Sequence, residues 1–245
     1  MIPVKNKSAS ESDIISGLSE HGVLVIEDYC SRENVEKLRE EFELILSKTK
    51  SNWLEERPYS LGKAALLTRN SEMKKEVPLS YEFFSSPFMQ NIVNTYFGKG
   101  YTANQKIFVV KDVVGSSHHA NDLHFDVQRT LKFFLYLSDT DEKNGAFKCV
   151  PGSNHLAEKI RKENPELISY ENREFSRKLP YGTSDAISVN GKAGSLIIFD
   201  TNVSHQAGNV SVGERWVMRG QTEAFGMQAK KKMPFLARVR NKLGF

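Results

Sequence analysis

His124 and Asp126 stand two apart in the string LHFD (Leu123 to Asp126), just ahead of the strand-forming run TLKFFLYL. In an extended chain the side chains at i and i+2 share a face, so an imidazole and a carboxylate are aimed to the same side. A third group of this kind comes much later. His205 follows the apolar run GSLIIFD and has the small polar neighbours Thr201, Asn202 and Ser204. Two imidazoles and one carboxylate make up a 2-His-1-carboxylate facial triad, which holds Fe(II) on one face and leaves the opposite positions open. His124, Asp126 and His205 are therefore the candidate metal ligands and the candidate catalytic centre. Four further histidines, His21, His118, His119 and His155, lack such company and read as structural or surface groups.

An arginine tests the idea. Arg215 begins the strand-like run ERWVMRG ten residues after His205. Its guanidinium offers a planar fork that matches a carboxylate bidentately. If the segments carrying His205 and Arg215 are antiparallel neighbours across GNVSVGE, the head group lies close to the metal, where a chelating dicarboxylate would leave its far carboxylate. Arg219 has the same strand parity and is the rival for this role. In TLKFFLYL, Leu131, Phe133, Leu135 and Leu137 fall on one face, expected to pack under helices. Lys132, Phe134 and Tyr136 fall on the other, expected at the mouth, where Lys132 or Tyr136 would touch a cosubstrate. The plainer reading of Lys132 is a snorkelling side chain at a sheet edge.

These residues need a scaffold. In the first hundred residues, IISGLSEHG reads as a short amphipathic helix ending at Gly22, VLVIEDY as a strand, and Ser31 as the N-cap of RENVEKLREEFELILSKTK. Val35, Leu38, Phe42 and Ile45 recur there at helical spacing. SPFMQNIVNTYFG reads as another helix, stopped by Gly98, while residues 50 to 80 are less regular. From about Gln105 short strands alternate with Gly, Pro, Asn and Asp turns: QKIFVVKDVV, TLKFFLYLSD, AFKCVPG, DAISVNG, GSLIIFD, VSHQAGNVS and ERWVMRGQTEAFG. Such a series predicts an antiparallel sandwich or barrel with flanking helices, interrupted by a polar, partly helical insert over 155–183. One domain is expected over residues 1–245: a helical flank over 1–100, a β core over 101–228 and a basic tail over 229–245.

Composition sets the outer bounds. With 39% hydrophobic and 26% charged residues, the 245-residue chain is ordinary for a soluble globular protein. The net charge of +4 is concentrated in the tail AKKKMPFLARVRNKLGF, which has no acidic residue. That argues against a nucleic-acid-binding core and for a basic appendage, either simply solvated or contacting an acidic partner or anionic surface. Cys30 and Cys149 form neither a disulfide framework nor a zinc-spacing motif. MIPVKNKSASESD carries no apolar signal-peptide stretch, and runs such as FFLYL are too short to span a bilayer, so a cytoplasmic location is expected.

Together LHFD, NGAFKCVPGSNH (Asn144 to His155), GSLIIFD, His205 and GER (Gly213 to Arg215) resemble the phytanoyl-CoA dioxygenase family of Fe(II)- and 2-oxoglutarate-dependent oxygenases. The resemblance runs from about residue 105 to 225. It implies a distorted double-stranded β-helix, the jelly roll shared with cupins. It also implies Fe(II) on His124, Asp126 and His205, 2-oxoglutarate paired with Arg215, and O2 as the oxidant. The expected reaction is hydroxylation of an unactivated C–H bond in a small-molecule substrate, anionic or carrier-linked, with release of succinate and CO2. Leu123 and Phe125 replace an aromatic residue and a glutamine of the family string, and Ala207 replaces a small hydroxyl residue. Asp126 argues against a related halogenase, where chloride takes the carboxylate's position. The alternative is a cupin-like jelly roll that binds a ligand or metal without oxidising anything. Lys111, Arg129 and Lys132 are the cations that would suit an anionic substrate.

Overall fold

The computed structural model describes residues 1–59, 61–116, 122–168 and 179–224. His118, His119 and the basic tail over 229–245 lie outside the described residues. Among the described residues, eleven strands and six α-helices are formed. β1 (Val4–Lys5), α1 (Glu11–His21), β2 (Val23–Ile26) and α2 (Arg32–Ser47) open the chain. Each helix starts where its capping residue dictates: Ser10 Oγ accepts from Asp13 N and Ser31 Oγ from Asn34 N. Gly22 ends α1 in the left-handed region, with φ 71°, and a Cβ there would run into Val203 and Asn154, so only glycine fits. As expected, α2 buries Val35, Leu38, Phe42 and Ile45.

Residues 50 to 80 hold more order than their pattern suggests. β3 (Leu54–Arg57) and β4 (Lys63–Thr68) form an antiparallel hairpin, with Leu54 opposite Leu67, and α3 (Ser71–Glu76) and α4 (Pro78–Phe84) follow. KAALLT has few β-branched or aromatic residues, so its strand character comes from pairing with the long β5 (Tyr101–Val113) rather than from propensity. α5 (Pro87–Phe97) precedes β5 and stops at Gly98. β6 (Leu131–Tyr136), β7 (Lys148–Val150), α6 (Asn154–Glu163), β8 (Ile187–Ser188), β9 (Leu196–Asp200), β10 (Ser204–Gln206) and β11 (Glu214–Ala224) complete the chain.

Two sheets face each other in a jelly roll. The large one has the order β1-β2-β9-β6-β11-β5-β4-β3 and the small one the order β10-β7-β8. Pairing is antiparallel apart from β1 on β2. Helices α1 to α5 cover the outer face of the large sheet. Leu131, Phe133, Leu135 and Leu137 pack there with Val35, Leu38, Phe42 and Ile45, as strand parity predicts. Phe134, Tyr136, Phe147 and Phe199 form a second apolar cluster between the sheets. Among the described residues, no helix is long and apolar enough to cross a membrane.

Candidate active site

His124, Asp126 and His205 converge although the first two are not in a regular strand. A single bridge joins the chain at His124 to β10: His124 N donates to His205 O at 3.0 Å, and His205 N donates to His124 O at 2.7 Å. This pairing sets the two rings side by side, with centroids 4.6 Å apart. Each Nδ1 meets a carbonyl oxygen, Asp122 O or Val203 O, at 2.7 Å. A carbonyl only accepts, so each Nδ1 carries a proton and Nε2 is the ring atom left to act as a ligand. Both Nε2 atoms face Asp126 Oδ1, at 3.6 and 3.7 Å. The ligand atoms of the three residues all lie within 4.8 Å of one another. Three donors around one point, two imidazole nitrogens and one carboxylate oxygen, suit a divalent first-row metal such as Fe(II).

The surroundings hold these donors ready. Lys132 Nζ donates to Asp126 Oδ2 at 2.6 Å, leaving Oδ1 for a metal. Burial alone would raise the Asp126 carboxyl, but Lys132, His124 and His205 outweigh it and hold it well below the usual carboxylate range. Burial pushes His205 down to about 3, so its ring is neutral at ordinary pH. The backbone is fixed from behind. Asp126 N donates to Thr201 O at 3.0 Å, and Arg161 on α6 binds Asp126 O, Val127 O and Asn202 Oδ1 while stacking over Phe125. Nothing in the pattern of α6 singles out Arg161; its role follows from where the helix is docked.

The triad opens into a 670 Å³ cavity between the sheets. Phe108, Phe134, Phe147 and Phe199 supply aromatic walls, and Arg215, Arg219 and Lys132 supply the cations. β10 does not pair with β11, contrary to the expected neighbouring strands: β10 belongs to the small sheet and β11 to the large one. Arg215 therefore reaches the cavity from the facing sheet. Asp112 is directly opposite it in the β11–β5 register. Arg215 Nε and Nη2 donate to Asp112 Oδ2 at 2.8 and 2.5 Å, and Nη1 donates to Gly145 O. Tyr59 from beyond β3 donates its hydroxyl to Asp112 Oδ1. An aspartate inside the apolar string FVVKDVV was the available sequence signal for this pair. Arg219 lies opposite both Phe108 and Phe134, with its guanidinium 4.5 and 5.7 Å from their rings.

Other expected residues go elsewhere. Tyr136 shares the inner face with Lys132 but lies at the closed end, fully buried, its hydroxyl donating to Val189 O at 3.0 Å. It is not brought to the cavity. Lys111 pairs with Glu43 and Glu214 and covers Trp216, and Arg129 pairs with buried Asp200. Of the three cations suggested for an anionic substrate, only Lys132 faces the cavity, and Asp126 already holds it. His155 points to Glu20 O, and Cys149 fills the core, its thiol pushed up by burial. Ala207 lines the cavity, and so does Gln206, whose Oε1 is buried with no hydrogen-bond partner among the described residues.

Comparison with protein families matches the phytanoyl-CoA dioxygenase family to residues 18–216. Comparison with curated proteins finds no match. Among solved structures, one similar fold is the non-heme alpha-ketoglutarate-dependent epimerase SnoN from nogalamycin biosynthesis. It has 14% identity and a TM-score of 0.62 over 87% of this chain and 80% of that one. SnoN in complex with Fe3+, alpha-ketoglutarate and nogalamycin RO gives 12% identity and a TM-score of 0.64 over 92% and 90%. HygX from Streptomyces hygroscopicus, with nickel, 2-oxoglutarate and hygromycin B bound, gives 13% and 0.59 over 89% and 88%. At these identities the likeness is one of fold: the double-stranded β-helix.

Proposed function

The chain belongs to the phytanoyl-CoA dioxygenase family of Fe(II)- and 2-oxoglutarate-dependent oxygenases, and from that premise we propose that it hydroxylates an unactivated C–H bond of a small-molecule or carrier-linked substrate, releasing succinate and CO2. The observation that carries this reading is the convergence of His124 Nε2, His205 Nε2 and Asp126 Oδ1 in the wall of a cavity that also holds two arginines.

Iron held by the triad, with 2-oxoglutarate and O2, supplies the oxidising power. The side chains do the rest. Lys132 fixes which carboxylate oxygen of Asp126 is offered. Arg215 takes the far carboxylate of 2-oxoglutarate. Asp112 and the Gly145 carbonyl hold its guanidinium in place, and its two Nη groups retain further N–H donors for a ligand. The phenylalanine walls exclude water from the reacting carbon, which protects a strongly oxidising step from side reactions. Gln206 Oε1 is an acceptor suited to a substrate hydroxyl or amine. The helices and the jelly roll share one apolar core, which supports a single domain. A cytoplasmic setting belongs to the same proposal, and both cysteines are free and buried.

Mixing the protein anaerobically with Fe(II) and 2-oxoglutarate tests the reading. A weak visible charge-transfer band is expected, lost in Asp126→Ala and much weakened in Arg215→Ala. A band of normal strength in Arg215→Ala, lost in Arg219→Ala, would move the cosubstrate to Arg219. No band in the unmodified protein would favour a jelly roll that binds without oxidising. Product analysis under 18O2 then separates hydroxylation from an outcome without oxygen insertion, such as the epimerisation named for SnoN.

A further inference from the structure

Beyond Phe108 and Arg219 lies a second cavity of 360 Å³, formed by the hairpin that the sequence pattern does not reveal. Arg57 from β3, Lys106 from β5 and Arg219 and Gln221 from β11 supply its polar groups, and Leu66 and Phe108 its apolar side. Phe108, Pro58 and Arg219 also line the catalytic cavity, so the two spaces adjoin along one wall. Strand geometry explains the grouping. Phe108 and Lys106 are two apart on β5, and Arg219 and Gln221 two apart on β11, so all four point between the sheets.

The charges of this annex are poorly compensated. Lys106 Nζ donates to Thr68 Oγ1, a neutral hydroxyl, at 2.5 Å. Arg219 has no hydrogen bond or ion pair among the described residues and is held only by the rings of Phe108 and Phe134. Arg57 alone meets a carboxylate, Glu55 at 3.1 Å, and that partner is largely exposed. Among the described residues, no carboxylate lines the annex itself. Cations gathered in a recess repel one another and lose hydration, and an oxyanion accepting charge-assisted hydrogen bonds relieves both costs.

We propose that the annex binds an oxyanion group, phosphate or carboxylate, at the far end of a substrate whose reacting carbon lies among the phenylalanines of the catalytic cavity. This rests on the oxygenase reading and on Arg215, not Arg219, holding 2-oxoglutarate. Arg219 then sits at the junction of the two spaces, gripping the anion while its ring contacts keep its plane fixed.

Phenyl phosphate is the probe, titrated by calorimetry into the protein with and without Fe(II) and 2-oxoglutarate under anaerobic conditions. Saturable binding that leaves the charge-transfer band intact is expected. Lys106→Gln and Arg57→Gln should each weaken it by about tenfold, the loss of one charge-assisted hydrogen bond, with Lys106→Arg restoring it. Benzyl alcohol, which keeps the ring and lacks the charge, should bind far more weakly and equally to all variants. Phenylacetate, which carries a carboxylate in place of the phosphate, should bind with the same dependence on Lys106 and Arg57 if the annex accepts either oxyanion. Bleaching of the band by phenyl phosphate would mean that the cations serve the cosubstrate, and would overturn the proposal. So would the absence of binding, or binding indifferent to Lys106 and Arg57. Calorimetry reads phosphate binding without the metal, so a missing band in the unmodified protein would count against the oxygenase reading alone.

Discussion

The two faces of the large sheet are built from the same strands and do opposite work. On the outer face, Leu131, Phe133 and Leu135 of β6 meet Val35, Leu38, Phe42 and Ile45 of α2 in a sealed apolar layer. On the inner face, one residue along, Lys132 and Phe134 meet Arg215, Arg219 and the His124–Asp126–His205 triad around an open cavity. Close packing and dehydration on the outer face supply stability. The inner face keeps buried charges and empty volume, both of which cost stability. The helices thus let the jelly roll stay hollow: they supply on one side the burial that the site gives up on the other.

Substitutions on the two faces should separate these roles. Phe133→Ala on the sealed face should cost about 3–5 kcal/mol of stability, read by thermal melting, while the folded protein binds metal as before. A parallel fall in metal affinity would show that the faces are coupled. Asp126→Ala on the open face should do the reverse. Metal affinity falls by more than about 100-fold, beyond what loss of an outer partner costs, and the fold persists by circular dichroism.

Between these extremes stands Arg161→Gln, which leaves His124, Asp126 and His205 in place but frees the Asp126 and Val127 carbonyls. Its metal affinity should drop by roughly 10–100-fold, with partial recovery in Arg161→Lys; unchanged affinity would make Arg161 a purely structural residue. Tyr136→Phe should have the smallest effect. It removes the hydroxyl's bond to Val189 O and should cost about 1 kcal/mol, with the 2-oxoglutarate titration unmoved. A weaker titration would return Tyr136 to the site.

Much of this could be read from residue order. The period of α2, its Ser31 cap, the glycine stops at Gly22 and Gly98 and the strand series from β5 to β11 all follow from local sterics and hydrogen bonding. The choice of His124, Asp126 and His205 as candidate metal ligands follows from ligand chemistry. The hairpin β3–β4 did not show, because its residues become strand only by adding to β5. Arg161 did not show, because a helix pattern says nothing of what the helix docks upon.

Tyr136 marks the boundary between the two kinds of knowledge. Parity placed it on the inner face with Lys132, correctly, but four residues along a strand is about 13 Å, far enough to take Tyr136 out of the cavity lining that Lys132 joins. The sequence by itself determined which groups are present and which face of each element they take, since periods of two and 3.6 residues are properties of the backbone. Only the tertiary structure decided which of them meet. His124 reaches His205 through one bridge between distant segments, and Arg215 faces them from the opposite sheet with Asp112 behind it. Those meetings depend on sheet order and register, which arise from the packing of the whole chain and from no stretch of it alone.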